Sequence, residues 1–313
     1  MNKPVVTETI LKENPPIPAN AADHPPLTVD AFIPPEMAVK AEDVGVKKAS
    51  MGPRNTFALA VLAGAFIALG ALFSTTVTAG AAGQLPFGIV RLLNGLSFCL
   101  GLILVIVAGA ELFTGNNLIV MAWADRRIST DQVLRNWVMV YIGNFLGSFA
   151  TAIFMFWTKQ YTFGNGAVGL NILNIANAKT SLDFFQALAL GVMCNALVCL
   201  AVWLCFSART TTDKILSIIF PITAFVTASF EHSVANMYFI PIGLLVKGGA
   251  APAFWEAIGK TAADFPALTW GNFFIANLLP VTIGNIIGGA VMVGLVYWFI
   301  YIRKGMTVLK IEI

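Results

Sequence analysis

Long runs without a charged residue constrain this chain more than any other feature. Five runs contain no Asp, Glu, Lys or Arg: 55–90, 92–110, 136–158, 184–208 and 265–302. A helix needs about 20 apolar residues to cross a bilayer, so each run can hold most or all of one crossing. Charged residues make up only 11% of the chain, against about 25% in soluble domains. The sequence therefore predicts an all-α polytopic membrane protein.

The apolar segments divide into six predicted transmembrane helices separated by polar or charged loops. The predicted transport domain covers 51–304. Before it come a disordered cytoplasmic tail at 1–35, which holds eight of the fifteen prolines, and an N-terminal surface helix at 36–50; a cytoplasmic tail follows at 305–313. Six spans put both termini on one side, together with fourteen of the nineteen Lys and Arg residues. The positive-inside rule then predicts a multi-pass protein of the cell (inner, cytoplasmic) membrane with both termini in the cytoplasm.

Two of the six predicted spans are interrupted, and they occupy matching places in the two halves of the chain. Polar and glycine residues break the second span at 109–117 and the fifth near 228–231. The third and sixth spans share a motif, Ile142-Gly-Asn and Ile283-Gly-Asn. Three spans per half imply an inverted repeat, with halves at about 51–158 and 181–304. Paired interrupted helices indicate a transport site near the middle of the membrane.

Polar side chains at the two breaks are the candidate site. Broken helices expose N–H donors and partial positive charge, which attract a small anion. Thr114 and Asn116 are expected to add hydrogen bonds from one break, and His232 and Asn236 from the other. Polar groups at membrane depth are usually functional, although a histidine that caps a helix break is the alternative interpretation of His232.

The two acidic residues of the breaks, Glu111 and Glu231, have a different expected role. An acid that lined an anion path would repel its cargo, so both are predicted to be structural and to accept N–H bonds near a helix start. No metal site is expected, because the four cysteines lie in apolar segments and form no CxxC pair.

Longer stretches around these residues make the chain resemble the formate/nitrite transporter family, and within it the formate channels. The resemblance covers about residues 35–304. The stretches that carry it are Gly101-Leu-Ile-Leu104, Glu111-Leu-Phe-Thr114, Gly169-Leu-Asn171, Leu197-Val-Cys-Leu-Ala-Val-Trp203, Phe230-Glu-His-Ser-Val-Ala-Asn-Met237 and Pro280-Val-Thr-Ile-Gly-Asn-Ile-Ile-Gly-Gly289.

The resemblance implies an aquaporin-like six-span protomer, with helices 2 and 5 broken, a pore through each subunit and assembly as a homopentamer. It also implies roles for individual residues. Leu102 and Phe225 match two apolar constrictions, Phe98 and Phe113 match aromatics along the path, Thr114 and His232 match the central polar pair, Asn195 and Asn285 match polar positions near the pore, and Lys179 matches a basic residue at the periplasmic mouth. The sequence Gly115-Asn116-Asn117 departs from the family's usual Ser/Thr pattern, which bears on gating and selectivity.

The predicted function is a non-enzymatic channel for formate with no cofactor. His232 is predicted to act as a proton relay, and the alternative is that it only presents a fixed positive field. Its expected partners are formate or a related small anion, protons, the lipid bilayer and identical subunits, and no nucleic acid. Nitrite and hydrosulfide remain alternatives within the family. A neutral-solute channel is less expected because paired Asn-Pro-Ala motifs are absent from the sequence. A haem-carrying enzyme subunit is less expected because His24, the only other histidine, lies in the polar tail.

Overall fold

The structure is a computed structural model that describes residues 30–303. The predictions for residues 1–29 and for the tail at 305–313 lie outside the described residues. The described part is mainly helical, with eleven helices and three short 3₁₀ turns at Gly115–Ile119, Gln160–Thr162 and Ala262–Asp264. The helices are α1 (Pro34–Ser50), α2 (Pro53–Val77), α3 (Phe87–Gly109), α4 (Val120–Ala124), α5 (Thr130–Trp157), α6 (Ala167–Thr180), α7 (Phe184–Ser207), α8 (Thr211–Thr227), α9 (Ser233–Gly249), α10 (Pro252–Ile258) and α11 (Trp270–Tyr301).

Local sequence signals set where several of these helices begin. Ser129 and Gln132 form a capping box at the start of α5: the Ser129 hydroxyl accepts from the Gln132 N–H at 3.3 Å, and the Gln132 side chain accepts from the Ser129 N–H at 2.9 Å. Asp183 caps α7 by accepting from the Gln186 N–H at 2.9 Å. These contacts satisfy N–H groups that lack a partner in the first turn of a helix.

Five helices are long and apolar enough to cross a membrane, namely α2, α3, α5, α7 and α11. A sixth qualifies by the same measures when α9 is taken with α10, which bends away from it by 109°. The helices α8 and α9, of 17 residues each, flank the predicted break of the fifth span. The protein is therefore a membrane protein of several spans, with the predicted interruptions after α3 and between α8 and α9.

Close contacts at glycines pack two helices against each other within each half of the repeat, and they do so in the same way in both halves. A Cβ atom on Gly147 of α5 would lie 2.0 Å from the Val61 carbonyl oxygen of α2. A Cβ atom on Gly288 of α11 would lie 2.0 Å from the Val192 carbonyl oxygen of α7. Only glycine permits the backbones to approach so closely. The helix pairs α2–α5 and α7–α11 are thus equivalent members of an inverted repeat.

The segment between the two predicted halves contains a helix that the sequence did not predict. Residues 158–181 resemble a loop because Gly164-Asn165-Gly166 is strong turn chemistry. In the structure all three residues have positive φ, at 61°, 54° and 86°, and they make only a tight turn before α6. The helix α6 then buries an apolar stripe of Val168, Ile172, Leu173 and Ala176. The helix α6 is therefore part of the packed fold and is not a linker between two domains.

The N-terminal helix α1 is packed against the protein, and ordered chain precedes it. It begins at Pro34, two residues before the predicted start, and it buries Met37, Ala38 and Ala41. The predicted disorder at 30–35 is wrong, because the Phe32 carbonyl accepts from the Ser207 hydroxyl at 2.9 Å. This contact holds the residues that lead into α1 against the C-terminal end of α7.

Candidate functional site

The two helix breaks meet through a single hydrogen bond at the centre of the protein. Thr114 Oγ1 and His232 Nε2 lie 3.0 Å apart, and the two side chains are 0% and 3% exposed. His232 is also the N-cap of α9, where its Nδ1 accepts from the Ala235 N–H at 3.0 Å. Because a backbone N–H can only donate, Nδ1 carries no proton and the neutral ring holds its proton on Nε2. Thr114 Oγ1 is therefore the acceptor of the central bond.

The break after α3 is held by a largely buried group that we call the Glu111 cluster: Lys48, Glu111, Asn116 and Asn136. The Lys48 ammonium donates to Glu111 Oε1 at 2.7 Å and to Asn116 Oδ1 at 3.0 Å. Asn116 Nδ2 in turn donates to Glu111 Oε2 at 2.7 Å and to Asn136 Oδ1 at 2.9 Å. Both Glu111 carboxylate oxygens are thus occupied, and its charge is balanced by a lysine from α1.

The break between α8 and α9 has a matching group, the Glu231 cluster: Lys179, Glu231, Asn236 and Asn277. Lys179 donates to Glu231 Oε1 at 2.7 Å, and Asn236 Nδ2 donates to Glu231 Oε2 at 2.7 Å and to Asn277 Oδ1 at 2.7 Å. The donors in both clusters are side-chain ammonium and amide groups. The N–H bonds that the two glutamates accept near the helix starts therefore come from lysine and asparagine side chains and not from the backbone.

The asparagines of the two Ile-Gly-Asn motifs hold the backbone of the breaks. Asn144 Nδ2 donates to the Ala60 and Glu111 carbonyls, at 2.7 and 2.9 Å, and Asn144 Oδ1 accepts from the Phe113 N–H at 2.9 Å. Each break has irregular backbone inside the membrane, where an unpaired polar group is strongly unfavourable. These amides supply the missing partners.

Asn285 repeats the contacts of Asn144 in the second half of the chain. Its Nδ2 donates to the Gly191 and Glu231 carbonyls, at 2.8 and 3.0 Å, and its Oδ1 accepts from the Ser233 N–H at 2.9 Å. Asn195 then joins the halves, because its Nδ2 donates to the Thr114 carbonyl at 3.2 Å and to the Asn285 carbonyl at 2.7 Å.

Two cavities in the described part of the chain adjoin the two breaks, and they share no lining residue. The first, which we call the Lys179 cavity, has a volume of about 470 Å³ and includes Phe98, Phe225 and His232 in its lining. The second, the Lys48 cavity, has a volume of about 520 Å³ and includes Leu102 and Glu111. The structure therefore places Leu102 in one cavity and Phe225 in the other.

Aromatic rings and buried amides fill the space around the central hydrogen bond. Phe225 packs edge-on against Phe98, with ring centroids 5.7 Å apart, and stacks on His232 at 6.0 Å. Phe113 packs on Tyr141, with centroids 4.9 Å apart. Five residues of the predicted site line neither cavity: Phe113, Thr114, Asn195, Asn236 and Asn285.

Sequence reasoning placed Asn236 with His232, whereas the structure places it in the Glu231 cluster. It also missed Lys48, Asn136 and Asn277. A spacing signal for the asparagines exists, since Asn136 precedes Asn144 by eight residues and Asn277 precedes Asn285 by the same interval. Extending the Ile-Gly-Asn match backwards would have found both. No comparable sequence signal marks Lys48, which looks like any other charged residue of the surface helix.

Comparisons with known proteins give one consistent result. A profile of the formate/nitrite transporter family matches residues 35–299. The formate channel FocA of Escherichia coli (strain K12) is 45% identical over 283 residues, which is 90% of this chain and 98% of the relative. The formate channel FocA of Haemophilus influenzae is 41% identical over 274 residues, covering 88% and 96% of the two chains.

A solved structure shows the same similarity in three dimensions. A pentameric formate channel with formate bound superposes with a TM-score of 0.76 at 45% sequence identity, and the match covers 80% of this chain and 98% of the other. The family match spans more than half of the chain, and the fold, the paired breaks and the inverted repeat agree with it. The chain belongs to the formate/nitrite transporter family.

Proposed function

We propose that this protein is a formate channel that works as a homopentamer with one pathway through each subunit. The observation that carries the proposal is the Thr114–His232 hydrogen bond, which joins the two breaks while the Lys179 and Lys48 cavities contain Phe225 and Leu102 respectively. The similarity to formate channels supports formate as the cargo and the pentamer as the assembly.

The two apolar constrictions of the pathway explain why a proton should accompany the anion. Formate is a small monocarboxylate that titrates near an Asp side chain, at about pH 3.9, so roughly one molecule in a thousand is neutral at pH 7. Desolvating the anion between Leu102 and Phe225, with Phe98 and Phe113 nearby, is strongly unfavourable. A proton added in this region removes most of that penalty. It also removes the coupling of charge to the membrane potential, about 2.3 kcal/mol per 100 mV.

His232 is the proposed proton relay, and its hydrogen bonds define what the relay requires. The neutral ring has its proton on Nε2, which donates towards Thr114. To pass a proton on, the ring first accepts one at Nδ1 and then releases the other from Nε2 to the anion. Protonation at Nδ1 displaces the Ala235 N–H, so the cap of α9 opens during the transfer. A permanently charged His232 would leave that cap broken, which favours a relay over a fixed positive field.

The remaining residues of the candidate site take supporting roles in this proposal. Lys179 neutralises Glu231 in the wall of its cavity, Asn236 also holds Glu231, and the Asn195 and Asn285 amides fix the backbone around the central pair. Glu111 and Glu231 are scaffold, since each is neutralised by a lysine at 2.7 Å. No group of three or more His, Cys, Asp or Glu side chains that could hold a metal occurs within residues 30–303.

We further propose that the protein lies in the cell's inner membrane with both termini in the cytoplasm. The excess of Lys and Arg on the side of the termini supports this orientation. A tag at either terminus should be cleaved by protease only in inverted membrane vesicles, and cleavage in intact spheroplasts would contradict it.

Flux into proteoliposomes tests the function directly. Radiolabelled formate should enter vesicles that contain the protein and should not enter empty vesicles faster than by leakage. Unlabelled formate, nitrite and hydrosulfide are then added as competitors at equal concentration. Strongest competition by formate supports the proposal, whereas stronger competition by nitrite or hydrosulfide would reassign the cargo within the family.

A further inference from the structure

Arg91 is the one charged residue of the Lys179 cavity that the arrangement above does not use. It lies in the first turns of α3, and its guanidinium donates hydrogen bonds to the C-terminal end of α8. Its Nε donates to the Thr227 carbonyl at 3.1 Å, and its Nη2 donates to the Val226 carbonyl and to Ser229 Oγ, the latter at 2.6 Å. A cation at the C-terminal end of a helix is stabilised by the unpaired carbonyls there.

The charges that line the two cavities do not balance in the same way. The charged lining residues of the Lys179 cavity are Arg91, Lys179 and Glu231, and those of the Lys48 cavity are Lys48 and Glu111. Lysine and glutamate pair in both cavities. Within residues 30–303, Arg91 makes no ion pair with a carboxylate. With His232 neutral, the Lys179 cavity therefore carries one net positive charge and the Lys48 cavity carries none.

Part of the Arg91 guanidinium is free to meet an anion. Its hydrogen bonds run through Nε and Nη2, and in the described part of the chain Nη1 donates to no protein atom. An N–H group of Nη1 on the partly exposed cavity wall can donate to one oxygen of a carboxylate, and the positive charge of the guanidinium strengthens that bond. Ser229, which Arg91 contacts, has a positive φ of 60°, and this contact holds the break in place beside Phe225.

We propose that Arg91 is an anion-binding residue of the Lys179 cavity and makes this cavity bind a small carboxylate more tightly than the Lys48 cavity does. The inference rests on the proposed function and adds a sidedness to it. The half-saturation concentration for formate is lower from the Lys179 side than from the Lys48 side. This unequal binding changes the rate of entry at low concentration and does not drive net transport, which follows the gradients.

The test measures the half-saturation concentration for labelled formate from each side, in vesicles of defined orientation at low ionic strength. Removing one cation from a partly solvated cavity should raise the value on the Lys179 side by about 3–10-fold in Arg91→Gln. The two sides should then become nearly equal, and Arg91→Lys should stay near the wild type. The difference between wild type and Arg91→Gln should shrink in about 1 M salt, where the Debye length is about 3 Å.

A second variant separates the effect of the Arg91 charge from the effect of its hydrogen bonds to α8. Asn94 lines the same cavity, and Asn94→Asp cancels the net charge while leaving every Arg91 contact in place. It should raise the half-saturation concentration on the Lys179 side as Arg91→Gln does. Lys260→Gln, which removes a cation that lines neither cavity, should leave both sides unchanged and is the matched control.

The results that would contradict the role of Arg91 differ from the result that would contradict the proposed function. If Arg91→Gln and Asn94→Asp both keep the wild-type values on each side, Arg91 does not bind the anion. If Arg91→Gln fails to assemble, an unchanged Asn94→Asp alone overturns the inference. If the wild-type protein carries no formate from either side, the proposed function fails before the role of Arg91 is in question.

Discussion

Lys48 and Lys179 lie in different helices and hold glutamates in opposite halves of the protein at the same distance, 2.7 Å. Lys48 comes from α1 and Lys179 from α6, and both helices lie outside the halves predicted from the sequence. Because the two lysines are equivalent, the inverted repeat extends by one helix in each half. The repeating unit therefore includes α1 in the first half and α6 in the second.

Removing either lysine alone should harm the protein more than removing the whole ion pair. In Lys48→Met the Glu111 carboxylate stays buried without its counter-ion, which we expect to lower the free energy of unfolding by about 2 kcal/mol, since Lys48 is partly exposed. The double variant Lys48→Met, Glu111→Gln should recover most of that loss, because glutamine still accepts from Asn116. Thermal unfolding in detergent and formate flux should change in parallel.

The second half offers the matched comparison. Lys179→Met and its double variant with Glu231→Gln should repeat the pattern, with a larger loss because the Lys179 side chain is only 16% exposed against 25% for Lys48. Single and double variants of equal stability would show that the pairs are not neutralising a buried charge.

Replacing His232 should separate its capping role from its role as a relay. Asparagine is a good N-cap, so His232→Asn should keep the α9 start, and His232→Phe should lose it. Neither side chain titrates near neutral pH. Both variants should therefore lose the rise in formate flux that we expect for the wild type as the pH falls, and His232→Phe should also unfold at lower temperature. Wild-type pH dependence in His232→Asn would rule out the relay.

The close glycine contacts should be among the positions most sensitive to one added methyl group. Gly147→Ala and Gly288→Ala each place a Cβ against a carbonyl oxygen of the neighbouring helix, and each should destabilise the protein by roughly 2 kcal/mol or more. A Cβ atom on Gly88 of α3 would meet nothing within 4 Å, so Gly88→Ala is the control and should be neutral or stabilising. Equal melting temperatures for all three variants would contradict the contact.

The docking of α1 should become tighter as the pH falls. Burial raises the pKa of Glu42 from about 4.5 to about 6; the neighbouring Asp125 carboxylate adds to the rise and Arg127, 3.3 Å away, opposes it. Docked α1 then holds a proton that the undocked helix releases between about pH 4.5 and 6, so docking weakens as the pH rises through that window. Hydrogen exchange of residues 36–50, corrected for intrinsic rates, should show more protection at pH 5 than at pH 7.

Glutamine in place of Glu42 should abolish this change, because the side chain then has no proton to release. Glu36→Gln, at an exposed acid of the same helix, should keep it. Loss of the pH effect in both variants would assign it to the charge of the helix rather than to Glu42.

The sequence predicted the parts of the fold that depend on local chemistry. Charge-free runs give the spans, and polar residues inside them give the breaks around Thr114 and His232, because such residues are unfavourable in lipid unless they are paired. The helix α6 was missed because turn residues at 164–166 look alike whether a loop or a helix follows. Lys48 was missed because pairing with Glu111 joins residues 63 positions apart, and no local pattern records such a contact.

The Glu111 and Glu231 clusters also bear on how the protein enters the membrane during synthesis. Lys48, Glu111, Asn116, Asn136 and Asn144 all lie between residues 34 and 157, so the first half supplies the side chains that hold Glu111 and the backbone beside it. The first half can therefore neutralise Glu111 and pair the Glu111 carbonyl while the second half is still being translated. The contacts that have to wait for the second half include those of Asn195 with the Thr114 carbonyl and of Thr114 with His232.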